Sequence, residues 1–168
     1  MPLIHLTTEI NAPIQVVFDL ARSIDFHEKT ASKSREKAVG GRTSGLIELG
    51  ETVVWEAVHF GIKQKLSTKI TAMNAPKSFK DEMVFGAFKS IKHDHAFISA
   101  PVDKTALKEN KGDKTIMIDF FHFESPYGLV GKMFNNLVLT NYMKRFLKER
   151  NAAIKKEAER IALIKNKK

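Results

Sequence analysis

Through most of the chain, apolar and β-branched residues gather in short runs separated by turn residues. The first, Leu3–Ile10, reads as a strand. Asn11-Ala12-Pro13 then signals a helix start, with Asn as a cap and Pro tolerated in the first turn. Val17, Leu20 and Ala21 follow at helical spacing, and Ser23 is placed to cap a second short helix reaching about Lys29. Residues 32–50 are polar, with turns at Gly40-Gly41 and Gly45, and the glycine-rich stretch Gly40–Gly45 reads as a flexible loop at a pocket entrance. Strand-like runs resume at 51–60, 62–72, 79–85, 88–99 and 115–124. Gly61, Asn74-Ala75-Pro76 and Gly86 separate neighbours so closely that the strands must be antiparallel, since a parallel pair needs a long crossover. Residues 101–114 form a lysine-rich hairpin loop on this reading.

The period changes in the last quarter. Phe134, Val138, Tyr142 and Phe146 recur every four residues, with Leu137, Ala153, Ile154 and Ile161 extending the apolar side. No proline follows Pro126 and no glycine follows Gly131, so one helix is expected from about Gly128 to Leu163. At 1.5 Å per residue it would run about 50 Å, enough to cross a small domain. The order is strand, two short helices, several antiparallel strands and a long final helix. That predicts an α+β domain over residues 1–168, with a curved sheet wrapped around the last helix and a basic tail at about 164–168. A pocket is expected between sheet and helix.

Composition narrows the chemistry. There is no cysteine, which excludes disulfides, thiolate metal sites and cysteine nucleophiles. No stretch reaches the roughly 18 apolar residues of a membrane span, and no export signal is read at the N-terminus, so a cytoplasmic protein is the expectation. The net charge is +9, and from Lys132 onward 11 Lys/Arg face only 3 Asp/Glu. A basic helix could attract nucleic acid or anionic membrane. A solubilising helix face explains the same charge and is preferred.

Side-chain alternation puts His93, His95 and Phe97 on one face of their strand, and Met117, Asp119 and Phe121 on one face of the last strand. If Ser99 pairs with Thr115, His95 falls opposite Asp119 and His93 opposite Phe121. A carboxylate beside imidazole raises its basicity, so His95 and Asp119 are the candidate acid–base pair. The same group can be a satisfied polar cluster that orients a ligand, or, through His-x-His, a metal site with Asp119 as oxygen ligand. The structural or ligand-orienting role leads, and no metal or cofactor is expected. Trp55 and His59 share a face and could form another part of the wall, while Glu56 points to solvent. The helix offers Phe134, Leu137, Val138, Asn141 and Tyr142. His5, His27 and His122 have no context that suggests a role. No Walker-type phosphate loop and no Gly-x-Ser-x-Gly elbow is present.

Ala12-Pro13 with Phe18, residues 54–61 (VWEAVHFG), 75–81 (APKSFKD), Gly86-Ala87-Phe88, 93–97 (HDHAF), 115–119 (TIMID) and 126–131 (PYGLVG) occur in one order along nearly the whole chain. Together they resemble the START-like or SRPBCC superfamily, the helix-grip fold shared with birch-pollen allergen. The resemblance is to its bacterial polyketide cyclase/dehydrase-like, ligand-binding or cell-division-inhibitor-like branch. Ala87 stands where that pattern has proline, and Ile91 lies where tryptophan is expected. The resemblance implies an internal pocket for a small hydrophobic or amphipathic ligand, such as a lipid, quinone or polyketide-like molecule. It also places Phe88 near that pocket, and it does not by itself imply catalysis. Binding without catalysis is therefore the main expectation. A cyclase- or dehydratase-like enzyme is the alternative, and an RNA, ribosome or anionic-membrane module the third.

Overall fold

The computed structural model describes residues 2–31, 34–59, 61–100, 113–124 and 138–165. Seven strands form one antiparallel sheet: β1 (Leu3–Ile10), β2 (Lys37–Gly41), β3 (Thr52–His59), β4 (Ile62–Asn74), β5 (Ser78–Phe85), β6 (Ser90–Ala100) and β7 (Lys114–Glu124). Their order across the sheet is β1-β7-β6-β5-β4-β3-β2, so the first two strands of the chain form its opposite edges. Helices α1 (Ile14–Ala21) and α2 (Ile24–Thr30) carry the chain between those edges. Helix α3 (Thr140–Lys165) packs on the sheet and on α1. This is the curved-sheet, α+β arrangement expected from the element order.

Tight turns account for the central meander. Gly61 adopts φ +76° between β3 and β4, and Ala75–Pro76 is a cis peptide between β4 and β5. Ser99 does pair with Thr115, which fixes the β6–β7 register. Val17, Phe18 and Ala21 are the buried face of α1, with Phe18 edge-on to Phe79 and Phe97 in the core. Ser23 caps α2 by accepting from the Phe26 N–H at 3.2 Å.

Three local expectations are corrected. Asn11 does not cap α1 through its side chain; Pro13 is the N-cap residue, and the Asn11 backbone N–H instead donates to Glu159 on α3 at 3.0 Å. Part of the stretch read as a loop is strand β2, paired with β3 across a register shift between Ala38 and Gly40. Its glycines dilute the alternation that would mark a strand, yet Gly41 at φ +67° lets β2 approach Thr52 closely. The buried stripe of α3 runs through Leu147, Asn151, Ile154 and Ala158 rather than through every fourth residue. Steps of four overshoot a full turn by about 40° each, so Val138 ends 43% exposed while Tyr142 and Phe146 are half-buried. The expected start of this helix near Gly128, the loop at 101–112, and Phe134 and Leu137 lie outside the described residues.

Candidate functional site

Between the sheet, α2 and α3 lies a cavity of about 630 Å³. Its walls are largely apolar: Trp55 and Ala57 from β3, Leu66 and Ile70 from β4, and Phe146 and Leu147 from α3 are among the lining residues. Arg22, Gln64, Lys65 and Thr68 are among its polar lining residues, and two further polar groups form connected clusters.

The first is built on three adjacent strands. Asp81 pairs with His93, which pairs with Phe121; in the next rung Phe79 pairs with His95, which pairs with Asp119. Two rungs of one sheet face thus bring both imidazoles between two carboxylates. His93 Nε2 lies 3.0 Å from Asp119 Oδ1, and His95 Nδ1 lies 2.9 Å from the same oxygen. On the other side, Asp81 Oδ2 is 3.2 Å from His95 Nε2 and 3.9 Å from His93 Nδ1. Helix α3 completes the group, because the Asn151 side-chain amide donates to Asp119 Oδ2 at 2.7 Å and to the Thr8 hydroxyl at 3.2 Å. The His93 and His95 rings are 3.7 Å apart, and Phe79 stacks on His95.

Burial opposes the Asp119 charge, but the hydrogen bonds from His93 and His95 outweigh it and hold the carboxyl far below its ordinary range. Asp81 is likewise held down against burial by His95 and His93, with Arg150 adding to the effect. Burial lowers His95, yet its bonds to Asp119 and Asp81 raise it overall. His93 moves the other way, lowered by burial and by the charge of His95. Asp81 and His93 line the cavity, as does Arg150, whose guanidinium donates to the Ala21 carbonyl at 2.7 Å. His95 and Asp119 are buried and are not among its lining residues.

The second polar group joins α2, the segment leading into β2, β3 and α3. Glu36 hydrogen-bonds His27 and accepts from the Ser34 hydroxyl at 3.1 Å. His59 Nε2 lies 3.8 Å from Glu36, and His59 Nδ1 lies 2.7 Å from the Tyr142 hydroxyl. Burial raises Glu36, but the bond and charge of His27 hold it low overall. Burial lowers His59. His27 also packs against Trp55 at 4.3 Å between ring centroids.

Of the residues expected at the site, Trp55, His59, Phe88, His93, Phe121 and Tyr142 line the cavity. His95, Phe97, Met117 and Asp119 are buried without lining it, and Val138 and Asn141 are exposed. Sequence reasoning missed Asp81, Glu36, His27, Arg150 and Asn151. Only Asn151 carried a readable signal, as a polar residue on the apolar stripe with Leu147, Ile154 and Ala158.

No family model matches the sequence, nor does any curated protein. Solved structures do. A START superfamily protein from Mycobacterium smegmatis superposes with TM-score 0.68 at 10% identity, covering 95% of this chain and 98% of that one. The chain has the START-like helix-grip fold. A truncated norcoclaurine synthase from Thalictrum flavum shares the helix grip at TM-score 0.63 and 13% identity, over 92% of this chain and 91% of that one. A major latex-like protein from Panax ginseng does so at TM-score 0.55 and 14% identity, over 94% and 97%. At these identities the likeness is one of helix-grip architecture. Among the described residues, no helix is long and apolar enough to cross a membrane.

Proposed function

We propose that the protein binds a small hydrophobic or amphipathic molecule, of lipid, quinone or polyketide-like character, between sheet and helix without transforming it. The observation that carries this reading is the cavity itself. Its volume of about 630 Å³ falls within the range of small-molecule sites, and its walls are mainly apolar with a minority of polar side chains among them. Such a lining favours an apolar body, while His59 with Tyr142 and Asp81 with His93 are suited to orient a polar end.

The binding-only form of the reading is supported by how the would-be acid–base pair is used. His95 and Asp119 touch, but both are buried away from the cavity lining, and the Asp119 oxygens are already engaged by His93, His95 and Asn151. A base needs to reach the proton it removes, directly or through one water. That the fold also occurs in a norcoclaurine synthase is compatible with catalysis but adds no residue of this chain to it.

Native mass spectrometry of the full chain tests the proposal. The expected result is a copurified apolar mass that is lost under denaturing ionisation, together with saturable 1:1 binding of an apolar fluorescent probe after delipidation. A protein that carries no such mass and binds neither the probe, a fatty acid nor a quinone would overturn it.

A further inference from the structure

The second use of the cavity wall lies in the Asp81–His93–His95 group, where three side chains each bring a metal-ligating atom to within 4.8 Å of the others. Two imidazoles and a carboxylate are a donor set suited to borderline first-row divalent ions, which need about three protein ligands plus open positions. An ion about 2.0–2.2 Å from each donor spaces those donors roughly 3–3.5 Å apart. Asp81 Oδ2 is 3.2 Å from His95 Nε2, which matches that spacing, and 3.9 Å from His93 Nδ1, which exceeds it; an ion would take the place of the proton in the His95–Asp81 hydrogen bond.

The opposite ring nitrogens carry the stronger part of the case. Imidazoles that bind metal ordinarily donate their other N–H to a carboxylate or carbonyl, which fixes the tautomer and aims the free nitrogen. Here His93 Nε2 and His95 Nδ1 both point to Asp119 Oδ1, at 3.0 and 2.9 Å. Asp119 in turn is held by the Asn151 amide. One buried carboxylate thus orients two histidines so that their remaining nitrogens converge on Asp81. Asp81 and His93 lie in the cavity wall, which gives an ion an entry path and leaves its remaining positions toward the cavity.

We propose that Asp81, His93 and His95 bind one Zn²⁺, Fe²⁺, Co²⁺ or Ni²⁺ ion, with Asp119 as the positioning residue behind both imidazoles. The ligand set differs from one built on Asp119, because Asp119 faces the far nitrogens. Arg150 also lies in the wall, and its positive charge opposes that of an added ion. Mg²⁺ and Ca²⁺, which prefer all-oxygen shells, are disfavoured by the two nitrogens.

The test uses the tag-free full chain, stripped with chelator and titrated with Co²⁺ alone. Visible d–d absorption saturating at one ion per chain is expected, displaced by Zn²⁺ and unaffected by equal Ca²⁺. Asp81→Asn, at the cavity wall, should retain the parent's far-UV spectrum and lose at least tenfold in affinity. Asp119→Asn should weaken binding by about 10–100-fold while keeping the 1:1 stoichiometry. In the unmutated protein, Zn²⁺ should shift the ring ¹⁵N resonances of His93 and His95 and leave those of His27 and His59 in place. Absence of saturable binding, displacement by Ca²⁺, unchanged affinity in Asp81→Asn, or shifts at His27 and His59 instead would overturn the proposal. Probe binding by the apolar cavity is read separately, so the two proposals can fail independently.

Discussion

His59 is a hinge point between two kinds of environment. One ring nitrogen meets the Tyr142 hydroxyl and the other faces Glu36, while Phe146 approaches edge-on. Burial keeps its imidazole below the ordinary value near 6.5, and Glu36, which faces His27, His59 and Ser34, is kept below its own value near 4.5. Both groups therefore bind fewer protons in the folded than in the unfolded chain, so stability falls as pH falls. The His59 contribution is complete above the ordinary histidine value and is lost as pH drops through the depressed one. The Glu36 contribution persists to lower pH and is lost last. His95, which is raised, works in the opposite direction, so the His59 contribution is read as a difference: between pH 7.5 and 5.5 the urea midpoint of His59→Gln should lose less, relative to its own value at pH 7.5, than that of the parent. A parallel pair of curves would show that His59 is not a source of the pH dependence. None of this was legible in the chain, because His27, Glu36 and His59 come from separate elements and only the fold juxtaposes them. His93, His95 and Asp119 were legible, since alternation and a single strand register suffice to bring them together.

At the scale of elements, the strands of the meander could be read because each has an apolar face and ends at a Gly or Asn-Ala-Pro turn. Helix α3 could be read from its period, although a count of fours chose Phe146 where the buried face has Leu147. Strand β2 could not, since its five residues include two glycines and it is an edge strand bent by a register shift. Gly41 in β2 and Gly50 ahead of β3 both have positive φ, for different reasons. A Cβ at Gly41 would stand 2.2 Å from the Thr52 carbonyl oxygen, on a residue already at φ +67°. A Cβ at Gly50, at φ +84°, would meet nothing within 4 Å. Gly50→Ala should therefore cost about 1 kcal/mol from backbone strain alone, whereas Gly41→Ala should cost about 2–4 kcal/mol because β2 must also move from β3. Equilibrium unfolding of the two variants measures the difference; equal losses would mean that β2 is not held closely to its neighbour.

Among the described residues, the sheet closes on a helix around a cavity, and a single substitution can show whether that space is accessible. Ala57 lies on β3 between Trp55 and His59, is 6% exposed and lines the cavity. Elsewhere in a close-packed core, replacing alanine by phenylalanine forces neighbours apart and destabilises by about 1–3 kcal/mol. Into a cavity of about 630 Å³ the added ring can extend without displacing a packed neighbour. It then gains apolar burial, which contributes up to about 2 kcal/mol for a fully covered side chain. The sign of the stability change thus separates a solid interior from a hollow one. Ala57→Phe is expected to leave stability unchanged or raise it, and at the same time to weaken apolar-probe binding at least tenfold by occupying the probe's place. Loss of stability with binding intact would mean that the space beside β3 is filled in solution and that the hydrophobic ligand lies elsewhere.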